Sequence, residues 1–237
     1  MGDRRVLSLL KKGEVVACQA LWRGSNEVFL LTLAASEGAP VRAVYKPQAG
    51  EAPLWDFPLG TLYQREYLAY RMAEALGWSF VPPTVIREGP QGVGVVQLLV
   101  DHEPQHNYFS LRGPHGEEFR RICLFDWLAN NADRKAGHCL LGRDGRIWAI
   151  DHGLTFHAAP KLRTVIWEFA GEAIPPHLLG DVERLLGGLE RRKRWAAEME
   201  RLLSTAEVEA LRGRLRMALA RGHFPLRSEG GVPWPMV

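Results

Sequence analysis

The residue pattern changes character near position 100. Before it, short runs of β-branched and apolar residues alternate with turns rich in Gly and Pro, at 14–22, 27–34, 41–46, 82–87 and 94–100. One stretch in this part, 62–76, carries apolar residues at helical spacing and is followed by Gly77. Beyond position 100 the spacing is mainly helical. Strands followed by helices indicate an α+β protein. We therefore predict a β-rich N-terminal lobe with one helix (residues 1–100) and a mainly helical C-terminal lobe (residues 101–237), together forming one domain.

The C-terminal part opens with the apolar segment 119–128, which predicts a buried helix. A polar loop at 130–138 follows, and then a short hairpin whose strands are predicted at 139–141 and 147–150. Further helices are predicted at 178–189 and 205–220, the second capped by Ser204 or Thr205 ahead of Glu207.

Bulk composition excludes several classes of protein. The chain has 237 residues with 46% hydrophobic content, enough to bury a substantial core, and a net charge of +3 that does not demand a nucleic-acid partner. The 3 cysteines are far apart, which argues against a disulfide framework or a zinc site. The sequence shows neither a signal-peptide pattern nor an apolar run of membrane-spanning length. We expect a cytoplasmic protein with no stable membrane anchor.

Two loops each contain an aspartate in a sequence context that suits catalysis or metal binding. Asp133 lies among amides, cations and a histidine, and phosphoryl transfer needs such a carboxylate to orient or deprotonate a hydroxyl. The neighbouring Arg134 would damp negative charge on a transferred phosphoryl group. Asp151 directly follows an apolar strand and precedes His152 and Gly153, which suits a Mg²⁺ ligand. Each aspartate is also compatible with an ordinary surface turn.

A lysine and a glutamate complete an ordered set. Lys46 ends a predicted strand before Pro47, where it would reach nucleotide phosphates, and Glu66 on the following helix would hold it. Both side chains are equally compatible with plain solvation. Asp133 and Asp151 stand 18 positions apart across the hairpin. That order and spacing is typical of the catalytic loop and the metal-binding loop of kinase-like folds.

Two motifs carry a family resemblance. Asn-Ala-Asp-Arg at 131–134 and Ala-Ile-Asp-His-Gly-Leu-Thr-Phe at 149–156 resemble the catalytic and metal loops of type II phosphatidylinositol 4-kinases. Tyr-Lys-Pro at 45–47 is similar to the Phe-Lys-Pro of that family, and Gly24-Ser25 is similar to its nucleotide loop. The resemblance spans roughly residues 20–160 and places the chain in the phosphatidylinositol 3-/4-kinase-like superfamily. A bacterial branch found in actinobacteria and their relatives is more similar still, and the toxin kinase HipA is more distant.

The resemblance implies a role for each matching residue. The nucleotide-binding set would be Gly24, Ser25, Lys46, Glu66 and the adenine hinge Leu98, Leu99 and Val100. Asp133 would be the catalytic aspartate and Asp151 the principal Mg²⁺ ligand. ATP and Mg²⁺ are the implied cofactors.

The chain departs from the family pattern at two places. His138 stands where the family has an Asn that serves as second metal ligand, and imidazole is a poor match for Mg²⁺. Either His138 replaces that ligand, or Asn131 or a water supplies it, or the site is weak. The cysteine-rich, lipid-modified insertion of type II lipid kinases is missing between Lys46 and Glu66, and the basic run at 190–195 is interpreted as a solvated helix face.

The expected function is transfer of the γ-phosphate of Mg²⁺-ATP to a hydroxyl of a protein, a small molecule or a phosphoinositide-type lipid. A protein or a small molecule is favoured over a lipid. Two alternatives stay open: adenylyl transfer by the same residues, and a pseudokinase that binds ATP without turnover. His138 favours the pseudokinase, whereas intact Lys46, Asp133 and Asp151 favour catalysis.

Overall fold

The computed structural model describes residues 3–21, 25–35 and 38–237. The chain divides into two compact units: Met1–Tyr70 with Pro82–Asp101, and Arg71–Val81 with His102–Val237. The first unit contains a five-stranded antiparallel sheet and the second is mainly helical. The predicted α+β fold class is confirmed.

The sheet of the first unit places β3 at its centre. Its strands are β1 (Val15–Leu21), β2 (Val28–Leu33), β3 (Val41–Pro47), β4 (Thr84–Gly89) and β5 (Gly92–Leu98), in the spatial order β1-β2-β3-β5-β4. Along β3, Ala43, Tyr45 and Pro47 are buried while the residues between them are more exposed, the period of two of a strand with one covered face. The strand ends at Pro47, which has no N–H to donate to a neighbouring strand.

A second helix in this unit was not predicted. Helix α1 (Asp3–Lys12) buries Val6 and Leu10 in the core of the sheet. The Arg87 guanidinium donates to the carbonyls of Leu10 at 3.1 Å and Gly13 at 2.9 Å, which satisfies acceptors at the end of the helix. The expectation of a single helix in this lobe is therefore wrong, because the four basic residues of α1 obscure its two buried positions.

Helix α2 (Leu62–Leu76) has the predicted bounds. The Glu51 carboxylate caps its first turn by accepting from the N–H of Leu62 at 3.0 Å and of Tyr63 at 2.8 Å. Burial raises the pKa of Glu51, and these backbone donors oppose that rise. Gly77 follows the helix with φ +76°, a conformation that glycine adopts without strain.

The second unit is built on packed helices. They are α3 (Tyr108–Leu111), α4 (Gly116–Ala129), α5 (Pro176–Glu190), α6 (Arg194–Leu202) and α7 (Thr205–Arg221), with the hairpin of β6 (Cys139–Leu141) and β7 (Ile147–Ala149) after α4. Helix α7 packs against α4, α5 and α6. Among the described residues, no helix combines the length and apolar character needed to cross a bilayer.

The basic run does not form a helix face. Helix α5 ends at Glu190, α6 starts at Arg194, and Arg192 between them has φ +50°. The left-handed conformation of Arg192 breaks the helix here, so the interpretation of 190–195 as one solvated helix face is wrong.

Ser204 is the cap of α7. Its hydroxyl accepts from the N–H of Glu207 at 3.3 Å, and the Glu207 carboxylate accepts from the N–H of Ser204 at 2.9 Å. Replacing a capping serine by alanine costs about 1 kcal/mol. We expect Ser204→Ala to lower the unfolding free energy by that amount in urea titrations, and Thr205→Ala to leave it nearly unchanged. Equal losses in the two variants would contradict the assignment.

Candidate active site

In the first unit, Lys46 and Glu66 form an ion pair. Lys46 extends from β3, and its Nζ donates to Glu66 Oε2 at 2.9 Å. The Glu66 side chain is 1% exposed and that of Lys46 is 24% exposed. A buried carboxylate on α2 thus holds an ammonium group that keeps part of its surface accessible. The contact that the sequence predicted between these two residues is present.

The other nucleotide-binding residues predicted for this unit are only partly described. Leu98 ends β5, and its N–H donates to the Pro83 carbonyl at 2.9 Å. Leu99 donates to the Arg42 carbonyl at 3.0 Å, and Leu98, Leu99 and Val100 are all half-buried. Ser25 is exposed, whereas Gly24 lies outside the described residues. The hinge and the nucleotide loop therefore stay predictions.

In the second unit, the loop after α4 is shaped by two asparagines. Asn130 adopts φ +54° and donates from Nδ2 to the carbonyls of His157 at 2.8 Å and Ala159 at 2.7 Å. Asn131 is fully buried; its Nδ2 donates to Asp126 Oδ1 at 2.8 Å and its Oδ1 accepts from the Asp133 N–H at 3.0 Å. Because both ends of the Asn131 amide are engaged, the geometry disfavours Asn131 as a metal ligand.

Arg134 ties this loop to the loop that carries Asp151. Its guanidinium is fully buried and bonds Asp126 through Nε to Oδ2 at 2.9 Å and through Nη2 to Oδ1 at 3.0 Å. Nη1 donates to the Ile150 carbonyl at 2.8 Å, and Nη2 lies 2.7 Å from His152 Nε2. Burial acts to lower the pKa of Arg134, but the Asp126 carboxylate, together with Cys139 and Asp151, outweighs burial and raises the pKa, so the group stays charged.

This burial changes the role expected for Arg134. The sequence suggested direct contact with a phosphoryl group, yet every part of the guanidinium is enclosed by protein. The geometry favours a positioning role, in which Arg134 fixes the residues on either side of it in two loops.

Asp133 is half-buried and paired with a lysine. Its Oδ2 lies 3.3 Å from Lys135 Nζ, and its side chain is 27% exposed. Desolvation raises the pKa of Asp133, Lys135 lowers it, and the Asp151 carboxylate raises it further, with a net upward shift. A raised pKa makes the carboxylate a better proton acceptor.

Asp151 follows β7 in a left-handed conformation, with φ +61°. Such a conformation is uncommon for a residue other than glycine, and strained backbone of this kind clusters at functional sites. The Asp151 side chain is 49% exposed, and its Oδ2 lies 3.3 Å from His138 Nε2. His138 Nδ1 accepts from the Lys135 N–H at 3.4 Å, so a neutral imidazole carries its proton on Nε2 and donates it to Asp151.

The donor set suits Mg²⁺ bound together with phosphate groups. Over residues 3–21, 25–35 and 38–237, no cluster of three or more His, Cys, Asp or Glu side chains could enclose an ion. Mg²⁺ is usually held by one or two carboxylates, substrate phosphates and waters rather than by an all-protein cage. The exposed Asp151 fits that pattern. Asp133 lies near enough for the Asp151 carboxylate to raise the pKa of Asp133.

Sequence reasoning missed Asp126 and His152 as site residues. Both are fully buried and both contact Arg134. A signal for Asp126 was present, since it is the one acidic residue within the otherwise apolar stretch 122–129. An aspartate is almost never fully buried unless it is paired, so its position in a buried helix called for a cation elsewhere in the chain.

The fold is that of a two-lobed kinase. The Golgi casein kinase solved with Mn/ADP bound matches 92% of this chain and 75% of that chain with a TM-score of 0.61 at 14% identity. Identity this low supports the shared fold alone.

Sequence comparison defines the family. The model for phosphatidylinositol 3- and 4-kinase matches residues 85–210. Protein Rv2133c of Mycobacterium tuberculosis is 36% identical over 273 residues, covering 96% of this chain and 94% of that protein. Phosphatidylinositol 4-kinase gamma 4 of Oryza sativa subsp. japonica is 31% identical over 110 residues, covering 42% of this chain and 20% of that protein. The chain belongs to the phosphatidylinositol 3- and 4-kinase family, which confirms the resemblance inferred from its motifs.

The Asp126–Arg134 pair makes a testable contribution to stability. Removing one partner of a buried ion pair leaves the other charge uncompensated, at a cost of about 3–5 kcal/mol. We expect Asp126→Asn to lose stability of that order in urea unfolding, while the exposed Glu183→Gln on α5 stays within about 0.5 kcal/mol of the parent.

A double variant separates the charge from the packing. Asp126→Leu combined with Arg134→Met replaces the pair by apolar side chains, so we expect it to be more stable than Asp126→Asn. If the double variant is less stable than Asp126→Asn, the hydrogen bonds that Asp126 accepts from Asn131 and Thr164 contribute more to stability than compensation of the charge does.

Proposed function

We propose that the protein is a Mg²⁺-ATP-dependent phosphotransferase that transfers the γ-phosphoryl group to a hydroxyl of a protein or a small molecule. The observation that carries the proposal is the junction of two loops: Arg134, next to Asp133, donates to the carbonyl of Ile150, next to Asp151. The proposed proton acceptor and the proposed metal ligand are thereby tied to one another within one compact unit. Membership of a kinase family supports the same chemistry.

On the nucleotide side, the proposal assigns phosphate contacts to Lys46. Its pairing with buried Glu66 restricts the lysine to one direction and so reduces the entropy lost when it binds a phosphate. Gly24 and Ser25 would cover the phosphates, and Leu98, Leu99 and Val100 would contact the adenine.

Asp151 would hold the divalent metal. Mg²⁺ held there would supply positive charge that offsets the negative charge of the nucleotide phosphates. His138 is the second residue that we assign to the metal site. The hydrogen bond that its N–H donates to Asp151 favours a role in orienting that carboxylate. The binding of Mn/ADP by a protein of the same fold is consistent with a divalent metal beside the nucleotide.

Asp133 would accept the proton. In the proposed step the acceptor oxygen forms a bond to the γ-phosphorus, the bond from that phosphorus to the β,γ-bridging oxygen breaks, and ADP leaves. The hydroxyl proton passes to the Asp133 carboxylate. Lys135, at 3.3 Å, opposes the rise in the pKa of Asp133 and so favours the ionised carboxylate that accepts the proton.

One observation favours a second candidate, a nucleotide-binding pseudokinase. The carboxylate of Asp151 lies within ion-pair distance of His138. A protonated His138 would compete with Mg²⁺ for Asp151 and slow turnover without preventing nucleotide binding.

Two aspartate variants should fail differently. Asp133→Asn preserves shape and removes the proton acceptor, so we expect nucleotide affinity within a few-fold of the parent and turnover lower by roughly 10²–10⁴. Asp151→Asn removes a metal ligand, so Mg²⁺-dependent nucleotide affinity should fall together with turnover. Calorimetric titration with ATP and an ADP-release assay measure the two effects. Full activity in Asp133→Asn would refute the assignment of its loop as catalytic.

Binding of Mg²⁺-ATP should also stabilise the fold. A ligand at 100 times its Kd adds about 2.7 kcal/mol, which for a chain of this size raises Tm by roughly 5–10 °C. Differential scanning fluorimetry with and without Mg²⁺ measures the shift. Absence of any shift at millimolar Mg²⁺-ATP, in the parent protein, counts against the proposal.

His138 variants test its relation to the metal. Asparagine can present an oxygen to Mg²⁺, so we expect His138→Asn to retain or raise ADP release, and His138→Ala to lower it. The same substitution at the exposed His223 controls for the loss of an imidazole elsewhere in the chain. Equal activity of all three variants would show that His138 does not act on the metal site.

A further inference from the structure

A cavity of about 330 Å³ lies in the second unit, beside the Asp133 loop. Its walls come from α3, from the segment 165–168 and from the segment 227–236. The Ala136 N–H donates to the Met236 carbonyl at 2.7 Å, and the Val165 N–H donates to the Arg134 carbonyl at 3.1 Å. Two residues that line the cavity are thus bonded directly to the backbone just after Asp133.

The walls of the cavity are aromatic. Tyr108, Phe109 and Trp167 line it, and Phe109 is 42% exposed. The indole of Trp167 is fixed because its Nε1 donates to the Gly231 carbonyl at 3.1 Å. Gly230 lies against the same ring, where an added Cβ would come within 2.8 Å of it. Trp167 therefore forms a rigid wall that can pack against one flat apolar group.

The rim of the cavity is basic. Arg112 and Arg227 line it, and both side chains are exposed. Within the part of the chain that the structure describes, no carboxylate lies at ion-pair distance from either guanidinium. Guanidinium groups match carboxylates and phosphates because they offer paired N–H donors.

Glu168 is the acidic residue of the lining. Partial burial, with a smaller contribution from the Glu172 carboxylate, raises the pKa of Glu168 to about 7. A substantial fraction of Glu168 is therefore uncharged at neutral pH and does not repel an anion. The volume of the cavity is near the lower end of the range of small-molecule sites, so it has room for one ring-sized group and not for a polypeptide element.

We propose that this cavity is the acceptor pocket, and that the acceptor is a small anionic aromatic hydroxy compound. The ring would pack between the aromatic walls, and the anionic group would meet Arg112 and Arg227. The hydroxyl would then lie toward the loop that carries Asp133. This assignment rests on the proposed phosphotransferase function and names its class of substrate.

Three related probes test the pocket: 3-phenyllactate, its methyl ester and lactate. Each has a hydroxyl, but the ester lacks the negative charge and lactate lacks the ring. We expect 3-phenyllactate to bind about tenfold more tightly than its ester, because the ester loses about one hydrogen bond to a charged group. We expect it to bind at least about tenfold more tightly than lactate, because lactate has no ring to bury. Ligand-observed NMR titration of the full chain without nucleotide measures the three affinities.

Arginine variants test whether the preference for 3-phenyllactate depends on Arg112 and Arg227. In Arg112→Gln with Arg227→Gln, the advantage of 3-phenyllactate over its ester should fall below about twofold, because the charge-assisted hydrogen bonds are lost. The control Arg121→Gln with Arg194→Gln removes the same net charge from residues that do not line the cavity, and it should keep the advantage. Glu168→Gln should strengthen binding of 3-phenyllactate at pH 8.

Stabilisation by Mg²⁺-ATP, measured in parallel, separates the two levels of the proposal. Equal affinity for the three probes, or an advantage that survives loss of both arginines, overturns the acceptor pocket; if Mg²⁺-ATP still stabilises the chain, the phosphotransferase proposal stands. If 3-phenyllactate binds selectively but Mg²⁺-ATP does not stabilise the chain, the phosphotransferase proposal is wrong. The assignment of the cavity to an acceptor is then wrong as well. Selective binding together with nucleotide stabilisation supports both.

Discussion

The buried ion pair of Asp126 and Arg134 is the constraint on which the candidate site depends. Two charges with no exposed surface stay in the interior only because each satisfies the other and further hydrogen bonds complete them. Those further bonds reach Asn131 on one side and the carbonyl of Ile150 on the other. Burial of the pair thus fixes the geometry of the two loops that carry Asp133 and Asp151.

The buried pair fixes the backbone beside Asp133 and Asp151. Asp133 adjoins Arg134 itself, and Asp151 adjoins Ile150, whose carbonyl accepts from the guanidinium. Both backbones are therefore held while the two carboxylates stay at least partly accessible. Electrostatic preorganisation of this kind reduces the reorganisation needed during a reaction. In the first unit, Glu66 acts on Lys46 in the same way, with the carboxylate buried and the cation partly exposed. A buried partner orients an accessible group in both units.

Features that depend on local sequence were predictable. Helix α2 could be bounded because its apolar spacing ends at Gly77, and Lys46 could be paired with Glu66 because a strand and the following helix present them in order. The position of Asp151 after an apolar strand could also be predicted from the sequence. Helix α1 was missed because it is short and its basic residues mask Val6 and Leu10.

The role of Arg134 required tertiary information. Its partner Asp126 lies on a different element, and nothing in the spacing of the two residues shows that both are buried. The cavity beside the Asp133 loop has the same origin, because its walls come from three separate segments. Contacts of this type arise from packing, which periodicity and motifs do not encode.

Transfer of the γ-phosphoryl group is tested most directly by the fate of the label in ATP. The protein is incubated with Mg²⁺ and ATP labelled at either the γ- or the α-phosphate, with Asp151→Asn as the matched control. γ-Phosphoryl transfer predicts ADP formation with the γ-label appearing in protein, in an added hydroxy compound or in inorganic phosphate, and almost none of this in the control. Transfer of the α-label with release of pyrophosphate, or retention of both labels in bound ATP, would contradict it.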